Sequence, residues 1–153
     1  MYTEKAYLED SILRIPSMGG RQIGAHLRQL AAQNAANSCI VEVGAWLGAG
    51  TAQLALGAEA APVAPEIHVF DHFHASESKV TKAAAAGVQL EKGQDTRPVV
   101  ERHLADLDAT IYLHKGKIKD ITWDHGPIDS ISSQLATWRL RMTGIDRQVR
   151  RRR

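Results

Sequence analysis

Cys39-Ile-Val-Glu-Val43, followed at once by Gly44-Ala-Trp-Leu-Gly48-Ala-Gly50, is the stretch that decides the fold. The first five residues are β-branched or small and apolar except Glu42, which predicts a short strand; the glycines that follow predict a tight turn. Thr51 to Ala61 is helix-forming, Pro62 and Pro65 close it, and Glu66-Ile-His-Val-Phe70 reads as a second strand ending at Asp71. Strand, turn, helix and strand in that order predict a βαβ unit, whose two parallel strands are joined by a right-handed crossover.

Upstream, residues 3 to 15 read as a helix with Thr3 placed to cap it and Leu8, Ile12 and Ile15 on one face. Pro16 to Gly20 breaks it. A second helix over Arg21 to Gln33 carries Ile23, Leu27, Leu30 and Ala31 as an apolar stripe, and Asn34 to Ser38 stops it. Downstream, Ser76 to Gly87 and Pro98 to Leu107 predict two more helices, separated by the polar stretch Glu91 to Arg97. Thr110-Ile-Tyr-Leu113 predicts a third strand, and Pro127-Ile-Asp-Ser-Ile131 opens a fourth after the polar segment Lys115 to Asp124. Alternating strands and helices predict an α/β fold built on a parallel sheet. No repeat or interdomain linker interrupts the chain, so one domain is expected over residues 1–146, with a helical part at 1–38.

The 153 residues are 44% hydrophobic and 24% charged, the balance of a soluble globular chain rather than a disordered or fibrous one. No apolar run is long enough for a membrane span, and the N-terminus lacks the apolar core of a signal peptide, so a cytoplasmic protein without membrane contact is expected. Cys39 is the sole cysteine, which excludes an intrachain disulfide and a cysteine-based zinc knuckle. Five arginines fall in the last seven residues, 147–153, leaving a mildly acidic body with a basic tail. A short terminal cationic run of this kind is expected to be solvated and disordered, not a nucleic-acid contact.

The candidate site residues lie at the carboxyl ends of the first two strands, where ligands bind in open parallel sheets. Glycines 44, 48 and 50 let the backbone approach a ligand closely, and the helix beginning near Thr51 presents free N–H groups. Asp71, at the tip of the second strand, suits the hydroxyls of a ribose. Trp46 stands where the middle glycine of G-x-G-x-x-G would be, so the ordinary dinucleotide fingerprint fails. The Gly44-x-x-x-Gly48-x-Gly50 spacing is similar to that of short-chain dehydrogenases, yet Tyr2, Tyr7 and Tyr112 are followed four residues on by Ala6, Ser11 and Gly116 in place of lysine. A nicotinamide-dependent oxidoreductase is therefore disfavoured. Glu42 repels a pyrophosphate but favours a cationic amine, and S-adenosylmethionine carries an ammonium, a sulfonium and no phosphate.

Ile40-Val-Glu-Val-Gly-Ala-Trp-Leu-Gly-Ala-Gly-Thr51 and Ile67-His-Val-Phe-Asp-His-Phe73 resemble the first motif and the second-strand motif of class I S-adenosylmethionine-dependent methyltransferases, in the branch of small-molecule O-methyltransferases related to macrocin O-methyltransferase. Leu113 to Asp120 and Trp123 to Asp129 are similar to that branch's later loop and fourth-strand entry. The resemblance implies a Rossmann-like sheet, incomplete at about four of the usual seven strands. It implies that Glu42 and Gly44 face the methionine part of the cofactor and that Trp46 is a packing residue or a wall of the cofactor site. Gly48, Gly50 and Thr51 would shape the turn, Asp71 hold the ribose, and Phe73 line the adenine. The substrate implied is a small-molecule hydroxyl; a catalytically dead cofactor-binding or interaction module is the alternative.

The chain departs from the family where Gly116-Lys117 replaces a Gly-Asp, and where Asp129 lies at the start of the fourth strand instead of its end. A truncated or frameshifted relative is one expectation from this; a second copy or a partner covering the open sheet edge is the other. His68, His72 and His74 cluster in sequence with Asp71, and His72 and His74 are the candidates for a general base. No metal site is expected, and His114 and His125 read as loop residues.

Overall fold

The computed structural model describes residues 4–117, 120 and 123–133. The expected cap at Thr3 and the basic tail at 147–153 lie outside the described residues. Among the described residues, five helices and four strands follow one another as α1 (Glu4–Leu13), α2 (Gly20–Ala32), β1 (Cys39–Val43), α3 (Ala49–Ala58), β2 (Ile67–Asp71), α4 (Glu77–Ala85), α5 (Arg97–Leu104), β3 (Ile111–Lys115) and β4 (Ile128–Ser133). The class is α/β, as the alternation predicts.

The strands form one sheet in the order β3-β2-β1-β4, and every neighbouring pair is parallel. Chain progression runs outward from β1 through β2 to β3, then returns to the other side of β1 for β4. The order therefore reverses at β1, which makes the carboxyl end of β1 the topological switch point of the sheet.

Registration gives each sheet face a distinct character. Ile40 pairs with Ile67, which pairs with Ile111; Glu42 pairs with Val69, which pairs with Leu113. Side chains alternate along a strand, so these residues share a face, and Cys39, Val41, Glu66, His68, Phe70, Tyr112 and His114 share the other. The first face carries the main core, in which Ile40, Ile67 and Val69 pack with Ile12 of α1, Leu27 and Ala31 of α2, Leu54 of α3 and Val100 of α5. The second face carries rings instead of aliphatic chains.

Helix α3 is buried on almost every side, from Ala49 through Ala58 except Gln53. Its alanines and glycines permit this by letting neighbours come close. A Cβ at Gly57 would sit 2.1 Å from the Arg28 carbonyl oxygen of α2, so only glycine allows the two helices their present approach. By contrast Ile23, expected in the buried stripe of α2, is exposed, because the core is met by Leu27 and Ala31 one turn and two turns further on.

Several boundaries differ from the sequence expectation, and three of them bear on the site. Helix α3 begins at Ala49, two residues ahead of the expected Thr51, which places Gly50 inside its first turn, and it ends at Ala58 instead of Ala61. Strand β3 extends to Lys115, so His114 is a strand residue and not a loop residue; pairing with Phe70 of β2 supplies the edge that the polar sequence around it conceals. Strand β4 runs to Ser133, its Ser-Ser end being held by pairing with Glu42 and Val43 in spite of low strand propensity. Among the described residues no helix is long and apolar enough to cross a membrane.

Candidate functional site

The turn between β1 and α3 is built on left-handed backbone. Gly44 has φ 90° and Gly48 φ 94°, conformations that glycine adopts without cost, while Trp46 at φ 53° and Phe73 at φ 47° hold the same region with side chains. Non-glycine residues stay there only where their surroundings fix them. Trp46 and Phe73 are both buried in the main core, which supplies that constraint.

Asp71 ties the turn together. Its Oδ2 accepts from the Ala45 amide at 2.8 Å and the Trp46 amide at 3.4 Å; its Oδ1 accepts from the Phe73 amide at 2.7 Å and from Lys79 Nζ at 3.4 Å. A carboxylate offers about four lone-pair positions, so these four donors occupy the group. The Gly44 amide donates to Phe70 O at 2.8 Å, and His103 Nδ1 of α5 lies 2.7 Å from Leu47 O on the far side of the turn. Strand β2 and helix α5 thus clamp the turn from two directions.

Glu42 is fully buried beneath the turn, and its Oε2 accepts a 2.5 Å hydrogen bond from the Thr51 hydroxyl. Thr51 is itself buried in the first turn of α3, so the acid of the strand is tied to the start of the helix. Glu42, Gly44, Trp46, Gly48, Gly50, Thr51, Asp71 and Phe73 are accordingly all assembled around one strand-turn-helix junction. Within that assembly Glu42, Thr51 and Phe73 are enclosed, and Phe73 serves the core with its ring.

No lysine or arginine occurs between Glu42 and Asp71. Lys79, from outside that stretch, pairs with Asp71 at 3.4 Å, so Glu42 is the carboxylate that makes the junction attractive to a positively charged group and poor for a phosphate. Of the two, Asp71 is filled by its present donors, so its carboxylate meets a ribose only by giving some of them up.

His72 and His74 are both exposed, and they line a cleft of about 480 Å³ with Ser76, Lys79, Asp95 and Lys115. Lys115 Nζ lies 2.6 Å from Asp95 Oδ2, and His74 forms a backbone bridge with Asp95. A larger groove of about 1150 Å³ runs among α1, α2 and α3 and reaches the junction only at Ala49 and Gly50.

His68 does not join His72 and His74. It is wholly buried on the other face, with Nδ1 3.0 Å from His114 Nε2 and Nε2 3.3 Å from Glu66 Oε2. Its ring stacks on Tyr112 at 4.8 Å between centroids and meets Trp123 edge-on at 4.9 Å and His125 at 4.5 Å. Burial pushes the His68 pKa down, with the Glu66 hydrogen bond opposing, and burial with the nearby His68 and His125 lowers that of His114. Cys39, whose thiol donates to the His125 carbonyl at 3.2 Å, is pushed up by burial and by the Glu66 carboxylate. This ring-and-thiol cluster was hidden in the sequence because its members are 86 positions apart at the extremes, Cys39 to His125. The i, i+2 spacing of Glu66 and His68, and of Tyr112 and His114, is the signal that places each pair on one strand face.

Comparison with protein-family models and with curated proteins finds no match to this chain.

Proposed function

We propose that this domain binds S-adenosylmethionine at the carboxyl end of β1 and derives from class I methyltransferases acting on a small-molecule hydroxyl. In this reading the described strands are the cofactor half of a Rossmann-like sheet. The observation that carries the proposal is the junction of Glu42, Gly44, Gly48 and Thr51 at the strand-order switch point, with Asp71 at the end of the adjacent strand. Ligands of open α/β sheets occupy this crevice, and Glu42, hydrogen-bonded there to Thr51, fits a cationic amino acid better than a pyrophosphate.

When bound, the cofactor supplies an electrophilic methyl group on sulfur. The chain's own part is mainly positional: Gly44 and Gly48 keep the turn low enough for close backbone approach, and Glu42 offsets a positive charge from below. In this reading His72 or His74, both lining the neighbouring cleft, takes a proton from the acceptor hydroxyl. A second reading, a module that no longer transfers a methyl group, is favoured by the Asp71 carboxylate, whose four donors are all internal.

Calorimetric titration with S-adenosylmethionine and S-adenosylhomocysteine tests the proposal. Micromolar binding that weakens about tenfold or more in Glu42→Gln, equivalent to about 1.4 kcal/mol, supports it. Absence of heat from a chain shown to be folded by circular dichroism overturns it. Binding without methyl transfer to any of a panel of phenols and sugars selects the second reading.

A further inference from the structure

At the opposite end of the same two strands, the thiol of Cys39, a carboxylate oxygen of Glu66 and a ring nitrogen of His68 converge, all within 4.8 Å of one another. Cys39 opens β1 and Glu66 immediately precedes β2. The parallel register sets Ile40 beside Ile67, so Cys39 and Glu66 stand side by side on the ring-bearing face with His68 two residues along. We propose that Cys39, Glu66 and His68 form a binding site for a zinc-class divalent cation at the amino-terminal ends of β1 and β2.

The donor set selects the metal. Thiolate, imidazole and carboxylate together suit zinc, whereas calcium and magnesium prefer oxygen ligands alone. Bonds of about 2.0–2.3 Å in a tetrahedral site bring ligand atoms closer to one another than 4.8 Å, and the adjustment falls on the side chain free to make it. Glu66 is exposed, while Cys39 and His68 are buried and fixed. His68 Nε2 and Glu66 Oε2, 3.3 Å apart, already have the spacing of two ligands on one ion.

Without metal the Glu66 carboxylate only accepts, so its hydrogen bond holds a proton on His68 Nε2. Metal binding at Nε2 displaces that proton and uses the other tautomer, in which Nδ1 donates to His114 Nε2, 3.0 Å away. Ligating histidines commonly give their other nitrogen to such a partner. Coordination releases the thiol proton to solvent, and the metal then bonds to thiolate. Water would complete the shell as a fourth ligand, and the ring of the exposed His125 lies 4.5 Å from that of His68. The site lies beyond the amino ends of the strands and is independent of the proposed cofactor junction.

Cobalt titration of the reduced, metal-free full chain tests the site. One equivalent of Co²⁺ is expected to develop visible bands of tetrahedral geometry together with a near-ultraviolet thiolate-to-cobalt band, and Zn²⁺ is expected to displace both. Cys39→Ser abolishes the thiolate band, and Glu66→Gln, an exposed change that leaves the fold intact, weakens binding about tenfold or more. A folded wild-type chain without the thiolate band, or a Glu66→Gln chain with unchanged affinity, overturns the proposal; in the first case the cluster is a hydrogen-bonded packing unit only.

Discussion

The Asp71 carboxylate accepts the Ala45 amide at 2.8 Å, and through this bond the end of β2 holds the turn that leaves β1. Removing the carboxylate orphans buried amides, each costing about 1–3 kcal/mol when left unsatisfied. Asp71→Ala is therefore expected to lower stability by about 2–4 kcal/mol, measured by urea denaturation. The Ala45 and Trp46 amides should also lose hydrogen-exchange protection in this variant, while amides in the middle of α3 keep theirs under conditions that favour the native state.

Gly57→Ala tests the contact between α2 and α3. The added methyl would meet the Arg28 carbonyl at 2.1 Å, a backbone atom that moves only with its helix. Overpacking of this kind costs about 1–3 kcal/mol, opposing the small gain that alanine brings to a helix interior. A lower thermal midpoint is expected; a rise would show that the helices separate freely.

Thr51→Val removes the hydroxyl that donates to Glu42 while preserving shape. The buried carboxylate loses a donor, and about 1–3 kcal/mol of stability should go with it. The loss should be smaller in the Glu42→Gln background, because an amide oxygen tolerates a missing donor better than a charged one. A double-mutant cycle by chemical denaturation measures that difference.

Asp95 gives a pH-dependent signature. Its carboxylate is held below the ordinary aspartate range chiefly by the Lys115 hydrogen bond, then by the Arg97 amide. A carboxyl whose folded pKa is lowered contributes stability above its unfolded pKa, and that contribution is lost as pH falls through the folded value. Lys115→Met should move the Asp95 titration upward, read from its carboxyl carbon resonance. Because the group is exposed and the pair is screened by solvent, the thermal midpoint near neutral pH should change little.

The βαβ unit was legible because each part is signalled locally: β-branched residues at 39–43, glycines at 44, 48 and 50, and a proline-bounded second strand. The convergence of Glu42, Thr51 and Asp71 followed from that unit. What escaped was set by pairing between distant segments. His114 acquires its strand from Phe70, Ser132 and Ser133 acquire theirs from Glu42 and Val43, and the partners of His68 come from three separate stretches. The close approach at Gly57 was likewise invisible, since the atom it avoids belongs to another helix.

The central position of β1 also sets a timetable for synthesis. Its pairing with β2 needs residues up to Asp71, but its other edge pairs with Ile128–Ser133, and Cys39 and Ile128 are 89 positions apart. At about 5–20 residues per second, the strand that organises both ends of the sheet waits roughly 4–18 s for its second neighbour. During that interval its open edge is a template for pairing with another nascent chain, so the rate of elongation through the second half of the message governs how much of this protein is recovered folded.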